Sequence, residues 1–321
     1  MTQTHATVLE RLLKYVKFDT QSDLDSTTDP STEKQLLLAR ALVEELQGLG
    51  VEDAHVGAGG VVYASIPATP GCGDAPAIGF IAHMDTSPDA PGAGVKPQIM
   101  RYEGGDVELN AEKNILLRAE QFPEIRKYAG EDVVFTDGTT LLGADDKAGV
   151  AAIMDMCARV MADPSIPHAK LCIGFTPDEE VARGTKNFDI AHFGAQYAYT
   201  FDGGEVGKLE SENFNGGTAF VTVKGVGVHP GSSKGKMVNA IRYAAKFIDR
   251  LPADMAPETT EGHEGFLHPN KVTGSVVSAT VRILIRDHDR GLYEAKKQLL
   301  RDIAAQMNAE FPQAPVTVEI K

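Results

Sequence analysis

The first two hundred residues alternate short, almost continuously apolar runs with segments of helical periodicity. Strands are predicted at residues 61–66, 77–82, 170–175 and 197–201, and helices at residues 5–18, 31–49 and 147–162. A run with little polar alternation, such as residues 77–82, is typical of a strand that is covered on both faces. Strands that alternate with helices form a sheet with helices packed on its faces, so this region predicts an α/β fold.

The pattern changes after about residue 213. Strands are predicted at residues 217–227, 264–268, 272–286 and 316–320, and helices at residues 237–251 and 290–309. This order, β-α-β-β-α-β, is the split ferredoxin-like plan. The boundary falls within residues 210–216, which divides the chain into domains of residues 1–213 and 214–321.

Charge and cysteine content exclude several classes of protein. With 31 Lys and Arg against 45 Asp and Glu, the formal charge is −14. This balance argues against a nucleic-acid partner, whose binding surface is basic, and offers no positive patch to an anionic membrane. No apolar run approaches the ~20 residues that a spanning helix needs, and the first ten residues lack the basic and apolar regions of a signal peptide. The three cysteines form no Cys-x-x-Cys pair, which fits a reducing compartment, so we expect a cytoplasmic protein.

Potential metal ligands follow four predicted strands, the second of them at Leu141 and Leu142. They are His83 with Asp85, Asp145 with Asp146, Asp178 with Glu179 and Glu180, and Asp202. Ligands of open α/β sheets bind at the carboxyl ends of the strands, so these side chains are expected to converge. Imidazole and carboxylates together suit zinc or a related divalent ion, and clustered carboxylates repel one another without a cation. Any one of these acids alone is more simply a helix cap or a solvated loop residue, but the combination favours a metal-dependent hydrolase.

These same residues carry a resemblance to a known family. The stretches at residues 79–88, 141–149, 175–181, 202–204, 228–231, 237–240 and 285–287 resemble the peptidase T family of di-zinc metallopeptidases, which is related to aminoacylases and glutamate carboxypeptidases. The resemblance covers nearly the whole chain. It implies a mixed-sheet zinc-peptidase catalytic domain with an inserted ferredoxin-like lid, which is also a dimerisation-type domain.

The resemblance also implies roles for the acidic motifs. The implied metal ligands for two zinc ions are His83, Asp145, Glu180 and Asp202, with Asp145 bridging the ions. Glu179 is implied as the general base that later protonates the leaving amine, and Asp85 as the residue that holds the imidazole of His83. The peptide bond between Asp145 and Asp146 is implied to be cis.

The lid is implied to contribute substrate contacts. His229 would donate to the oxyanion, Arg286 would hold the substrate carboxylate, and Asn239 would add a polar contact. From the residues alone, His229 is more simply a turn residue before Pro230. The implied partners are short peptides, chiefly tripeptides, and a second copy of the chain in a homodimer.

One part of the family pattern has no counterpart here. The family's last histidine ligand and a glycine-rich stretch lie far downstream, whereas this sequence ends at Lys321, near the last lid strand. We therefore expect a C-terminally truncated chain in which His83, Asp145 and Asp202 form one metal site and the second site is incomplete. The expected activity is release of the N-terminal residue of tripeptides. The alternatives are a dipeptidase, an N-acyl amino acid deacylase on the same scaffold, or an inactive fragment.

Overall fold

The computed structural model describes residues 6–321, which divide into two compact units. One unit ends at Lys208 and the other comprises Leu209–Lys321. Residue 5, the first of the predicted helix 5–18, lies outside the described residues. Within residues 6–321, no helix combines the length and the apolar composition required to cross a bilayer.

The first unit is built around a five-stranded mixed sheet. Its helices are α1 (Val8–Tyr15), α2 (Gln35–Gly48), α3 (Ala144–Ala162) and α4 (Ile190–Phe193). Its strands are β1 (His55–Val56), β2 (Val62–Ile66), β3 (Ile78–His83), β4 (Gln98–Tyr102), β5 (Val107–Asn110), β6 (Ile115–Leu117), β7 (Glu131–Phe135), β8 (Leu171–Thr176) and β9 (Tyr197–Thr200). The sheet order is β1-β2-β8-β3-β9, with β8, β3 and β9 parallel and β2 antiparallel to β8. The predicted α/β fold and its four strands are confirmed.

The core of this unit lies between the sheet and the three longer helices. In α2, Leu38, Leu42 and Leu46 recur every four residues and are fully buried against the strands. On the strand side, Ile173 and Phe175 of β8 belong to the same cluster. The opposite face of the sheet carries a smaller cluster around Tyr63, Cys172 and Phe193. With both faces covered, β8 is buried along its whole length, as its continuous apolar sequence indicates.

Two predictions for this unit are wrong or incomplete. Leu141 and Leu142 do not form a strand before Asp145: the backbone N–H of Leu141 bonds to the carbonyl of Pro91, and the chain enters α3 directly. Asp145 therefore lies at the start of a helix, next to a cis peptide bond to Asp146 as predicted. The strands β4 to β7 were not predicted. They form two separate two-stranded sheets, β4 with β7 and β5 with β6, outside the main alternation.

The second unit is a four-stranded antiparallel sheet with two helices. Its elements are β10 (Asn215–Lys224), α5 (Ala240–Ile248), β11 (Phe266–Gly274), β12 (Ser278–Asp287), α6 (Arg290–Glu310) and β13 (Val316–Ile320). The strand order is β11-β12-β10-β13, so the predicted β-α-β-β-α-β plan is confirmed. Alternate residues of β12, including Val281, Ile283 and Ile285, are fully buried in a core shared with α5 and α6.

The predicted single strand over residues 272–286 is wrong, because a turn divides it. The N–H of Ser275 bonds to the carbonyl of Ser278 over 2.7 Å, and Gly274 pairs with Ala279 across the hairpin. Val276, which continued the apolar alternation, lies in this turn, and its carbonyl accepts a hydrogen bond from the N–H of Ala240. Its apolar side chain concealed the break between β11 and β12.

Gly149 generates a testable prediction about the packing of α3. A Cβ atom at this position would lie 1.9 Å from the carbonyl oxygen of Phe201 and 2.4 Å from Oδ1 of Asp146. We expect Gly149→Ala to lower the free energy of unfolding by at least about 1–3 kcal/mol, despite the better helix propensity of alanine. Gly48 in α2 has no atom within 4 Å of its virtual Cβ. The matched variant Gly48→Ala should stabilise by about 0.5–1 kcal/mol. Urea denaturation measures both, and equal effects would contradict the close contact.

Candidate metal centre

His83 lies at the end of β3 and is the central side chain of the candidate site. Its side chain is 3% exposed, and ring Nδ1 lies 3.1 Å from the backbone oxygen of Asp85. A ring nitrogen facing a carbonyl oxygen must carry the proton, so the neutral tautomer directs the Nε2 lone pair away from Asp85. Nε2 lies 2.9 Å from Oδ1 of Asp145, 3.8 Å from Oδ1 of Asp202 and 3.9 Å from Oε2 of Glu179.

Three of the four predicted ligands come together around this nitrogen. The ligand atoms of His83, Asp145 and Asp202 all lie within 4.8 Å of one another, and no other group of three or more candidate ligands meets this criterion within residues 6–321. Glu180, the fourth predicted ligand, lies outside this group. One imidazole and two carboxylates are the donor set that zinc and similar divalent ions accept, so the residues present fit a metal ion.

The electrostatics of the site also favour a cation. Burial opposes a charge on His83, but the hydrogen bond and charge of Asp85, with Asp146 and Asp202 beyond it, raise the imidazole pKa to about 10. Burial raises the pKa of Glu179 and of Asp202, and neighbouring carboxylates raise both pKa values further. These shifts show that the negative charges destabilise one another where water is partly excluded. A bound divalent cation removes this conflict.

The carboxylate of Asp85 holds the turn that carries Glu179 and Glu180. Asp85 is fully buried, and its two oxygens accept the backbone N–H groups of Glu179 at 2.9 Å and Glu180 at 3.2 Å. Its Oδ1 also lies 3.4 Å from Nδ1 of His83, the partner expected from the sequence. Asp85 therefore connects the ends of β3 and β8 through charge-assisted hydrogen bonds.

Asp178 anchors the same turn from the other side, although the strand-end pattern had placed it among the potential metal ligands. Its backbone is left-handed, with φ of 61°, and its side chain is buried. The carboxylate accepts hydrogen bonds from the N–H of Ser31 at 2.7 Å, from the hydroxyl of Ser31, and from Nε2 of Gln35 at 2.7 Å. Gln35 is the first residue of α2 and Ser31 lies four residues before it, so the segment that enters this helix fixes the position of the Glu179–Glu180 turn. The one sequence signal for this role is that aspartate adopts the left-handed backbone conformation more readily than most residues.

Asp146 and Lys147 are two further buried charged residues beside the centre. The carboxylate of Asp146 accepts the backbone N–H groups of His83 and Gly149, and burial raises its pKa to about 8. The ammonium of Lys147 donates to the carbonyl of Phe18 over 2.8 Å, and burial lowers its pKa to about 8. Of the pair Asp145 and Asp146, the family resemblance implies a metal ligand only at Asp145. Its neighbour Asp146 points inward and fixes the backbone at the end of β3.

The predicted substrate residues of the lid lie in the second unit. Nδ1 of His229 accepts the N–H of Gly231, and the side-chain oxygen of Asn239 accepts the N–H of Ile241 as the N-cap of α5. Nη1 of Arg286 donates to the carbonyls of Ile285 and Gly217. All three side chains are oriented by contacts within their own unit.

The raised pKa values predict an unusual pH dependence for the metal-free protein. A group whose pKa is raised on folding stabilises the fold below its ordinary pKa, and this contribution is lost as pH rises through the folded value. For Asp146 that window runs from about 4 to about 8, and for His83 from about 6.5 to about 10. We expect the chelated protein to be about 1–3 kcal/mol less stable at pH 8.5 than at pH 5.5.

Saturating Zn²⁺ should reverse this order, since metal ligands must be deprotonated to bind. Denaturation at both pH values, with chelator or with Zn²⁺, makes the comparison. Higher stability of the chelated protein at pH 8.5 would contradict the electrostatic description of the site.

The chain is similar in sequence and in structure to several known proteins. A family model described as the peptidase dimerisation domain matches residues 211–315. A tripeptidase from Staphylococcus aureus superposes with a TM-score of 0.72 at 21% identity, covering 100% of this chain and 76% of that chain. A dinuclear metal-binding peptidase of the M20 family from Bacillus subtilis gives a TM-score of 0.57 at 12% identity, covering 98% and 72%. Both structures share the fold of this chain.

The sequence comparison defines the family. The chain is 50% identical over 315 residues to peptidase T from Clostridium acetobutylicum, which covers 98% of this chain and 77% of that protein. The protein therefore belongs to the peptidase T family of metallopeptidases.

Proposed function

We propose that this protein is a zinc-dependent aminopeptidase that releases the N-terminal residue of tripeptides. The observation that carries the proposal is the convergence of His83, Asp145 and Asp202 within 4.8 Å in a chain half identical to a peptidase T. The structurally similar protein from Staphylococcus aureus is a tripeptidase, which supports tripeptides as the substrate class.

The residues divide into those that hold metal and those that move protons. His83, Asp145 and Asp202 would hold one zinc ion and Asp145 with Glu180 a second. Bound zinc would supply polarisation of the scissile carbonyl and a water of lowered pKa. Glu179 is a suitable general base because burial raises its pKa while its side chain stays 52% exposed. It takes the proton of the attacking water and returns it to the leaving amine.

Asp85 acts on this chemistry by position rather than by contact with substrate. By binding the N–H groups of Glu179 and Glu180, it fixes the main chain from which both carboxylates extend. Its neighbouring oxygen contact to Nδ1 of His83 restrains the ring that carries the metal-facing nitrogen.

The acidic site also fits the charge of the substrate. Asp145 is 74% exposed and Glu179 52% exposed, so the negative charge faces solvent. A peptide with a free N-terminus carries a positive charge that this field attracts, and an N-acylated peptide does not.

The lid residues would contact the peptide at its oxyanion and carboxylate. Because Gly231 donates to Nδ1 of His229, the neutral ring carries its proton on Nε2, which is then free to donate to an oxyanion. The guanidinium of Arg286 is fixed by the carbonyls of Ile285 and Gly217 and suits a substrate carboxylate. Asn239 would add a polar contact next to them, although its side chain already caps α5.

The proposal extends to the roles of the two domains and to the location of the protein. We assign residues 1–213 as the catalytic domain and residues 214–321 as the lid, and the dimerisation-domain match to residues 211–315 supports a homodimer formed through the lid. The three cysteines are free, which fits a cytoplasmic protein.

A first test concerns the general base. Glu179→Gln keeps the shape of the side chain but cannot accept the proton, so kcat should fall by about 10²- to 10⁴-fold with bound zinc unchanged. Glu44→Gln on the exposed face of α2 is the matched control and should leave kcat unchanged. Peptide-release kinetics and metal analysis are the measurements, and near-normal turnover by the Glu179 variant would exclude its role.

A second test separates the aminopeptidase from the alternatives on the same scaffold. Free trialanine should be cleaved at its first peptide bond, whereas N-acetyl-trialanine should be rejected because it lacks the cationic amine. Chromatography of the products identifies the bond that is cut. Preference for the acetylated peptide would support a deacylase instead, and preference for dialanine would support a dipeptidase.

A further inference from the structure

Two exposed histidines face each other away from the candidate metal centre. His55 begins β1 at the edge of the main sheet, and His192 lies in α4. Their Nε2 atoms are 3.2 Å apart, and their ring planes meet at 73° with centroids 5.1 Å apart. The proposed peptidase chemistry uses neither residue.

The separation of the two nitrogens matches a shared metal ion. Imidazole nitrogens bind zinc at about 2.0–2.1 Å in tetrahedral geometry, which places two ligand nitrogens about 3.3–3.4 Å apart. The observed 3.2 Å is within a few tenths of this value. The ring positions therefore need little adjustment to bind one ion, which would replace the proton that Nε2 of His192 donates to Nε2 of His55.

Hydrogen bonds hold His55 in the tautomer that a metal requires. Nδ1 of His55 lies 2.8 Å from the backbone oxygen of Asp53, so Nδ1 carries the proton and Nε2 offers its lone pair. The Asp53 carboxylate is in turn fixed by the N–H and the hydroxyl of Ser65, at 2.9 and 2.6 Å. These contacts fix the orientation of the His55 ring.

His192 is held from the other side by a separate set of contacts. The carboxylate of Asp189 caps α4 by accepting the N–H of His192 at 2.9 Å, and the N–H of Asp189 donates to the hydroxyl of Tyr63 at 2.7 Å. The Tyr63 ring packs edge-on against the His192 ring, with centroids 5.0 Å apart. Tyr63 is in β2, so both histidines are attached to the same rigid sheet.

We infer that His55 and His192 form a separate metal site, selective for transition ions that prefer imidazole. Zn²⁺, Ni²⁺ and Cu²⁺ belong to this class, whereas Mg²⁺ and Ca²⁺ prefer oxygen ligands. Two protein ligands leave the remaining coordination positions to water, in keeping with the exposure of both rings. The site is a two-histidine clip that differs in chemistry from the carboxylate-rich centre around His83.

The clip has a structural consequence for the candidate active site. His192 lies on the segment between Glu180 and Asp202, two of the proposed catalytic-metal ligands, whereas His55 belongs to the far edge strand. An ion shared by both histidines ties this segment to β1 and so restrains α4. Binding of the ion can therefore be measured as reduced mobility of α4, independently of catalysis.

The test compares Zn²⁺ binding by the wild-type chain and by His55→Asn, His192→Asn and the double variant. Calorimetric titration should show one fewer Zn²⁺ equivalent in the double variant and at least tenfold weaker binding at this site in each single variant. His168→Asn, in the same unit, is the matched control and should bind as the wild type does. Titration with Mg²⁺ should show no difference among the variants.

Hydrogen exchange provides the second readout. Zn²⁺ should slow amide exchange in α4 of the wild type but not of the double variant, while cleavage of trialanine is retained in both. An unchanged Zn²⁺ stoichiometry in the double variant, or equal protection of α4, would overturn the inference. Because these variants spare the centre around His83, such a result would leave the proposed peptidase function intact.

Discussion

Repulsion among carboxylates at one end of the main sheet is the constraint on which the rest of the first unit depends. The fold brings Asp145, Glu179 and Asp202 within 4 Å of the buried nitrogen of His83, where burial and mutual repulsion raise the pKa values of Glu179 and Asp202. Such a cluster survives in a folded chain only if other interactions hold its members in place. A cation then converts the repulsion into binding energy.

The supporting interactions come from a second set of acids that face inward. Asp85, Asp146 and Asp178 are each buried and accept hydrogen bonds mainly from backbone N–H groups and neutral side chains. Asp85 joins the end of β3 to the turn after β8, and Asp146 joins the end of β3 to the start of α3. Asp178 joins the turn after β8 to the segment that enters α2. The acids that face solvent are available to metal and substrate because the inward acids fix the backbone beneath them.

Much of this could be predicted from local sequence patterns. Continuous apolar runs identified β2, β3, β8 and β9, and the position of His83, Asp178 and Asp202 after such runs placed them at one edge of the sheet. Alternation in the second unit gave its β-α-β-β-α-β order. These predictions are correct because burial of a strand or helix on one or two faces produces a periodic pattern of apolar residues in the sequence.

The features that were missed depend on tertiary contacts without such a trace. Val276 continues an apolar alternation but lies in a turn, because its carbonyl accepts a bond from Ala240 of α5. Asp178 bonds to Ser31 and Gln35, which lie more than 140 residues earlier in the sequence. His55 and His192 are separated by a similar number of residues. No spacing rule links residues that only the completed sheet brings together.

The left-handed backbone of Asp178 has a consequence for how mutational tolerance in this family is interpreted. Its carboxylate, its N–H and its carbonyl all bond to other parts of the unit, and few residue types accept its φ of 61°. A deep mutational scan scored by activity would rank this position beside Glu179, although Asp178 need never meet a substrate. Loss of activity on substitution of Asp178 would reflect the structure of the turn rather than catalysis. Ranking positions only by their sensitivity to substitution would therefore count too many residues as catalytic.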